Sequence, residues 1–140
     1  MSQENVENLR AFMETWNLEA WRREASKLAV VNMYLLDPHV IYEDMTRPGH
    51  VSETYRGHEG VVRATERWIE SYHWLEIELE RIVGTGDCLV SIHRVRAKAH
   101  TGIEGDRTVA YLWRFRGGKV VYFRLFRDPE QALETAGLRE

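Results

Sequence analysis

The chain has 140 residues, of which 44% are hydrophobic and 11% aromatic, and its formal net charge at pH 7 is −3. This composition predicts one folded domain over residues 1–140 with a buried core, because disordered chains carry fewer apolar side chains. The small negative charge gives no electrostatic support for nucleic-acid binding, since phosphate contacts require clustered positive residues.

Several classes of protein are excluded by the absence of their signals. No apolar run approaches the roughly 20 residues of a membrane-spanning helix, and the polar start MSQENVENLR is neither a signal nor a transit peptide. We therefore expect a cytoplasmic protein without membrane contact. Cys88 is the only cysteine, and the six histidines lack ligand spacing such as HExxH. With no phosphate loop or GxSxG motif either, the sequence predicts no metal and no cofactor.

The first 36 residues contain neither Gly nor Pro and have helical periodicity. A second helical pattern, through Ala25, Leu28, Ala29 and Leu36, follows the first. We expect it to end at Asp37-Pro38, because the residue before proline avoids the helical region. The first pattern repeats apolar residues at spacings of three and four, as in an amphipathic helix: Val6, Leu9, Met13, Trp16 and Ala20.

Strands dominate the rest of the chain. A short strand, Val40–Glu43, precedes a predicted loop from Asp44 to His58 and a helix from about Glu59 to Tyr72. The segments WLEIELERIV, CLVSIHRVRAKAH and TVAYLWRFR then alternate with a period of two, which is typical of strands with one face in water. A hairpin signal at Gly117-Gly118 leads into the last strand, KVVYFRLFR.

A short helix ends the predicted order of elements. Asp128-Pro129 is a favourable helix start, with a carboxylate at the N-cap and proline at the first helical position, and Gly137 marks the end. Helices followed by clustered strands predict an α+β fold, a curved antiparallel sheet wrapped around three helices. Because such a sheet twists strongly, we expect a cone-shaped domain with one internal pocket.

The stretch VIYEDMTRPG ends the first strand with two carboxylates. Strand alternation predicts that Glu43 points outward and that Asp44 is the one that can enter a pocket. A carboxylate desolvated among aromatic rings gains a higher pKa, toward the range useful for a general base. Alternatively, Asp44 accepts backbone N–H bonds in the loop to Pro48 or faces solvent.

Two further polar residues lie on strand faces that we expect to be internal. His93 alternates with small apolar residues, and a lone strand histidine is more often a hydrogen-bonded core residue than a catalyst. Tyr111 shares a face with Trp113 and Phe115, and such aromatic stripes usually belong to a core. In a hollow fold the Tyr111 hydroxyl can still reach a pocket, so both His93 and Tyr111 are candidate partners of Asp44.

The order of elements and several motifs resemble the nuclear-transport-factor-2-like superfamily and, within it, the SnoaL-like proteins, over nearly the whole chain. The motifs are LLDPHVIYED, YRGHEGVVRATERW, YLWRFRGGKVVYFRLFRD and DPEQALETAGL. The superfamily uses one conical pocket for isomerases, cyclases, dehydratases, epoxide hydrolases and non-catalytic binding. The resemblance therefore implies the fold without fixing a function.

The resemblance also assigns positions one by one. Asp44 falls on the general-base aspartate of the ketosteroid isomerases, Phe12 on their helix tyrosine and Tyr111 on their protonated aspartate. One oxyanion donor is thus lost and the other is replaced by a phenol, which argues against true ketosteroid isomerase activity. The limonene epoxide hydrolase pattern needs an aspartate where this chain has Leu125. Asp128 is the nearest late acid for a SnoaL-type cyclase base.

The implied function is binding of a small hydrophobic, cyclic molecule in an internal pocket. Asp44 would catalyse a base-assisted isomerisation or cyclisation, with His93 or Tyr111 stabilising the developing oxyanion. The alternatives are a non-catalytic binding module, which Phe12 favours, and a dimerisation module; we expect a homodimer in either case. The candidate pocket residues are Phe12, Trp16, Tyr42, Trp68, Tyr72, Trp113, Phe123 and Leu125.

Overall fold

A computed structural model of the protein describes residues 2–14, 34–45 and 53–138. Within these segments no helix is both long enough and apolar enough to cross a membrane. The described helices are α1 (Ser2–Glu14), α2 (Gly57–Glu70) and α3 (Pro129–Ala136), and the strands are β1 (Leu36–Asp44), β2 (Glu53–Arg56), β3 (Tyr72–Thr85), β4 (Cys88–Ala99), β5 (Glu104–Arg116) and β6 (Lys119–Phe126).

The six strands form one curved, open sheet in the order β2-β1-β6-β5-β4-β3. The predicted α+β class is confirmed, but the sheet is mixed, because β1 and β6 run parallel while every other pair is antiparallel. A tight hairpin forces its two strands to be antiparallel. No local sequence signal sets the direction of β1 relative to β6, because strands β2 to β5 lie between them in the sequence.

The first strand begins earlier than the sequence predicts. Leu36, expected at the end of a helix, is buried in β1 and pairs with Val120 of β6. Asp37-Pro38 lies inside the strand, where the His39 N–H donates to Asp37 Oδ1 at 2.8 Å and the register against β6 shifts before Ile41. A residue before proline avoids the helix but readily adopts an extended conformation. Asp37-Pro38 therefore belongs to an irregular strand and not to a helix end.

Two other boundaries differ from the prediction. Strand β2, Glu53–Arg56, lies in the segment from Asp44 to His58 that was expected to be a loop, because four residues are too few to show alternation. Helix α2 ends at Glu70, and Tyr72 begins β3. The residues expected to extend the first helix and to form the second fall outside the described residues, namely Trp16, Ala20, Ala25, Leu28 and Ala29.

Both faces of the sheet are covered, and each has its own hydrophobic cluster. The inner face, defined here as the one that packs against α1 and α2, carries alternate residues such as Leu89 and Val95. The outer face packs against α3. Where both faces of the sheet are covered, as along Leu89–His93, consecutive residues are buried. The alternation of buried and exposed side chains then disappears. The outer cluster contains Val90, Ile92, Ala110, Leu112, Phe126, Ala132 and Leu133.

Helix α3 has the capping predicted from the sequence. The Asp128 carboxylate accepts a hydrogen bond from the Glu130 N–H at 3.0 Å, and Pro129 occupies the first turn. Gly137 ends the helix with a left-handed φ of 74°, and its N–H donates to Glu134 O at 3.0 Å. Asp128 is thus a structural residue on the outer side of the sheet, away from Asp44.

The turn between β3 and β4 offers a matched test of this packing. Gly84 and Gly86 both have positive φ, 109° and 73°. A Cβ on Gly84 would lie 2.7 Å from Cys88 O and 2.8 Å from Leu138 Cδ1, whereas a Cβ on Gly86 would meet nothing within 4 Å. Both alanine substitutions carry the cost of a left-handed backbone, about 1 kcal/mol.

We expect Gly84→Ala to lower the free energy of unfolding by about 2 kcal/mol more than Gly86→Ala, because only Gly84→Ala adds a steric clash. Urea denaturation of the two variants measures the difference. Equal losses of stability would show that the β3–β4 turn is not packed as described.

Candidate functional site

A row of stacked aromatic rings crosses the inner face of the sheet. Trp113, Phe123, Tyr42 and Tyr55 occupy paired positions on β5, β6, β1 and β2. Successive ring centroids are 4.8, 4.4 and 5.8 Å apart, with interplanar angles of 12°, 18° and 23°. Cross-strand aromatic pairs stabilise a sheet beyond their buried area. This set, called the aromatic row below, is a continuous stack of rings on the inner face.

The next set of paired positions on the same face carries the polar groups. Ser91 lies opposite Tyr111, Tyr111 opposite Leu125, Leu125 opposite Asp44, and Asp44 opposite Glu53. These residues form the polar row, which crosses β4, β5, β6, β1 and β2. Only Leu125 separates Asp44 from Tyr111, although the two residues are far apart in sequence.

A small cavity lies between these rows and helix α2. Its volume of about 10 Å³ has room for about one water molecule. A larger ligand can therefore occupy it only if the surrounding side chains move apart. The described lining residues are Tyr42, Asp44, Val61, Ala64, Thr65, Tyr111 and Phe123.

Asp44 is half-buried and faces this cavity beside two tyrosines. Burial raises the pKa of Tyr111, and the negative charge of Asp44 raises it further. Burial also raises the pKa of Tyr42, with further contributions from Tyr111 and Asp44. A hydrogen bond joins the two hydroxyls. Both phenols therefore stay protonated and can act as hydrogen-bond donors next to a carboxylate.

Glu43, the neighbouring carboxylate, lies on the opposite face, as the alternation predicts. It accepts a hydrogen bond from the Tyr122 hydroxyl of β6. Partial burial, together with this hydrogen bond, raises the pKa of Tyr122 to about 12. The two acids of the VIYEDMTRPG stretch therefore have different surroundings, and only Asp44 contacts the cavity.

His93 lies behind Tyr111, one position further along the inner face. Its side chain is 0% exposed, and its ring meets the Tyr111 ring edge to face with centroids 5.5 Å apart. His93 Nε2 is 2.7 Å from Ser91 Oγ, which also accepts a hydrogen bond from Trp113 Nε1 at 2.8 Å. Burial lowers the pKa of His93 to about 4, so the imidazole is neutral near pH 7.

Of the other candidate pocket residues, two contact the cavity and the rest stay predictions. Tyr42 and Phe123 line the cavity, as described above. Phe12 of α1 and Trp113 are buried, with their rings edge to face at 5.9 Å. Leu125 is buried within the polar row, and Tyr72 is half-buried at the start of β3. The structure does not describe the side chains of the remaining candidates, Trp16 and Trp68.

Sequence reasoning missed the contribution of β2 and of the polar residues near it. Tyr55 extends the aromatic row, and its hydroxyl donates to the Glu53 carboxylate. Arg67 of α2 reaches both groups, with Nη1 3.3 Å from the Tyr55 hydroxyl and 3.4 Å from Glu53 Oε2. The ETYR segment is too short to show strand alternation, so its tyrosine was the available signal. Ser91 and Thr65 carried no signal of their own.

No metal site emerges from the described part of the chain, where no three His, Cys, Asp or Glu side chains are close enough to hold an ion.

The buried His93 predicts a pH-dependent stability. An unfolded histidine binds a proton near pH 6.5, whereas His93 in the folded protein does so only near pH 4. Between these values the unfolded chain holds more protons, so the free energy of unfolding falls as the pH decreases, by up to about 3 kcal/mol.

We therefore expect His93→Gln to flatten the pH dependence of stability, measured by urea denaturation at about pH 7 and about pH 4.5. His100→Gln removes an exposed histidine and is the matched control. If the wild type and His93→Gln lose the same stability on acidification, His93 is not held neutral by burial.

Comparisons with known proteins show which family this chain resembles. The model of the SnoaL-like domain matches residues 9–123. No curated protein matches the sequence significantly. A solved NTF2-like protein of unknown function from Burkholderia pseudomallei K96243 is similar in fold, with 20% identity, a TM-score of 0.71 and coverage of 97% of this chain and 98% of that chain.

Two other solved structures have the same fold. TerC, co-crystallised with polyporic acid, has 15% identity and a TM-score of 0.71, and the match covers 95% of this chain and 97% of that chain. A protein from Jannaschia sp. CCS1, described as a SnoaL-like polyketide cyclase, has 21% identity and a TM-score of 0.69, with 99% and 94% covered. Such identities show the fold alone. Because the family model spans well over half of its length, this chain belongs to the SnoaL-like family, with an NTF2-like fold.

Proposed function

We propose that this protein binds a small hydrophobic, cyclic molecule against the aromatic row and that Asp44 takes a proton from an acidic C–H of that molecule, in an isomerisation or a cyclisation. One observation carries the proposal. The Asp44 carboxylate faces a cavity that it shares with the hydrogen-bonded hydroxyls of Tyr42 and Tyr111.

The tyrosine pair suits the charge that such a reaction creates. Removing a proton next to a carbonyl group moves negative charge onto the carbonyl oxygen, and fixed hydrogen-bond donors lower the barrier for that step. Burial raises the pKa of Tyr111 overall, and a hydrogen bond with Tyr42 offsets a part of that increase. Tyr111 is thereby polarised as a donor, while its burial keeps it protonated until the substrate arrives.

The surroundings of the cavity favour an uncharged, apolar ligand. Tyr42 and Phe123 of the aromatic row border the cavity, and the described lining residues contain one carboxylate and no cation. Pockets lined in this way bind apolar ring systems, with a few polar groups fixing their orientation. TerC, a relative in fold that was co-crystallised with polyporic acid, supports the binding of a small organic molecule.

A second candidate function is non-catalytic binding in the same pocket. Phe12 supports it, because this residue lies where the ketosteroid isomerases have a helix tyrosine, and here its ring packs on Trp113. The protein then has fewer oxyanion donors than those isomerases. Binding without proton transfer would leave Asp44 with an electrostatic role only, so substitution of Asp44 distinguishes the two functions.

Proton abstraction by Asp44 predicts exchange at carbon without knowledge of the natural substrate. We expect the protein to accelerate hydrogen–deuterium exchange at the α-carbon of a bicyclic ketone such as 2-tetralone, followed by NMR in D2O. Asp44→Asn should reduce the rate by about 100-fold or more, which is the usual contribution of a general base. Glu43→Gln is the matched control, since Glu43 lies next in sequence but on the outer face.

Equal rates for Asp44→Asn and Glu43→Gln would remove Asp44 as the base. No acceleration over the uncatalysed rate by the wild type would leave non-catalytic binding as the function. A far-ultraviolet circular dichroism spectrum of each variant shows whether the fold is intact.

Tyr111 provides a second prediction on the same assay. We expect Tyr111→Phe to lower the turnover rate for exchange by about 100-fold, because the loss of one oxyanion donor typically has such an effect. The apparent KM should change far less, since the donor acts on charge that develops during the reaction. Tyr122→Phe removes a hydroxyl from the outer face and serves as control. A higher KM with an unchanged turnover rate would show that Tyr111 contributes to substrate binding in the ground state.

A further inference from the structure

A chain of three buried side chains favours one position for the proton of His93. Trp113 Nε1 lies 2.8 Å from Ser91 Oγ and can only donate, so Ser91 Oγ accepts there. His93 Nε2 lies 2.7 Å from the same oxygen. If Ser91 donates its own proton to Nε2, every group in this chain is paired with correct polarity. The neutral imidazole then carries its proton on Nδ1.

His93 Nδ1 has no hydrogen-bond partner among the residues that the structure describes, although the atom is buried. Buried polar atoms in folded proteins are paired in the great majority of cases, and each exception calls for a physical reason. The Trp113–Ser91–His93 chain orients the imidazole so that this unpaired N–H is held in a fixed direction. The arrangement is that of a donor prepared for a group that is not part of the described chain.

The position of His93 relative to Asp44 sets the size of such a group. His93 is on β4 and Asp44 on β1, three strand spacings apart, which is roughly 14 Å along the sheet and less across its curved interior. Tyr111 lies between them and contacts the His93 ring at 5.5 Å. A ligand that contacts both Asp44 and His93 therefore extends past Tyr111.

We propose that His93 Nδ1–H donates a hydrogen bond to an ether or carbonyl oxygen at the end of the ligand remote from the carbon that Asp44 deprotonates. The inference rests on the proposed function and adds a second polar contact, at the end of the ligand remote from Asp44. Because burial keeps the imidazole neutral, the site suits an uncharged oxygen. The ligand reaches His93 when the side chains that close the cavity move apart.

A matched pair of ligands tests this hydrogen bond. The ketone 6-methoxy-2-tetralone carries an ether oxygen where 6-ethyl-2-tetralone carries a methylene group of similar size. Dissociation constants follow from quenching of tryptophan fluorescence. In the wild type the methoxy compound should bind more tightly than the ethyl compound, because only the methoxy oxygen can accept the His93 hydrogen bond. In His93→Phe this preference for the methoxy compound should be about tenfold smaller than in the wild type, because the donor is absent.

His100→Phe, at an exposed histidine, should keep the wild-type ratio. An unchanged ratio in His93→Phe overturns the inference, and so does a failure of both ketones to bind at millimolar concentration.

A second measurement needs no variant at His93. Nitrogen-15 NMR of the wild type distinguishes the two imidazole tautomers, and we expect the proton on Nδ1 in the free protein. The Nδ1–H resonance should move on addition of the methoxy compound and stay in place with the ethyl compound. A proton on Nε2, or equal shifts with both ketones, overturns the inference.

These measurements follow binding and not turnover, so they separate this inference from the proposed function. Asp44→Asn could leave hydrogen–deuterium exchange unchanged while His93→Phe alters the ratio of the two dissociation constants. In that case Asp44 is not the base, and the hydrogen bond from His93 is still supported.

Discussion

The stack of Trp113, Phe123, Tyr42 and Tyr55 is the interaction on which the candidate site depends. The stack joins the β1–β2 pair to the β5–β6 pair, and no short hairpin connects one pair to the other. It favours a single register between the two pairs. A slip of one residue in β1 would turn Asp44 to the outer face and Glu43 to the cavity. The packing of apolar rings thereby determines which carboxylate faces the cavity.

That arrangement leaves a site with little charge in it. Asp44 is the single carboxylate among the described residues that line the cavity. The polar groups near it include phenols held protonated by burial and an imidazole held neutral in the same way. Arg67, the nearby cation of α2, lies at the edge and contacts Glu53. In a poorly hydrated interior, neutral donors stabilise developing negative charge without binding anions strongly beforehand. These surroundings are consistent with the proposed proton transfer on an uncharged molecule.

The sequence predicted what depends on neighbours along the chain. Strand alternation separated Glu43 from Asp44, and the capping residues of α3 followed from Asp128 and Gly137. It missed what depends on distant partners, including the parallel pairing of β1 with β6 and the packing of α3 on the outer face. The closeness of Asp44 to Tyr111 is of this second kind, because it arises from register across β6 and was implied only by resemblance to a family.

The parallel pair of β1 and β6 also constrains the order in which the protein can assemble. Strands β3 to β6 follow one another through short turns and can pair as their residues become available. The β1–β2 pair, in contrast, can join these strands only through β6, the last strand of the sheet. Contacts between segments so far apart in sequence form slowly, since a long loop must close first. During synthesis on the ribosome, the half of the pocket that carries Asp44 therefore remains unassembled until nearly the whole chain has emerged.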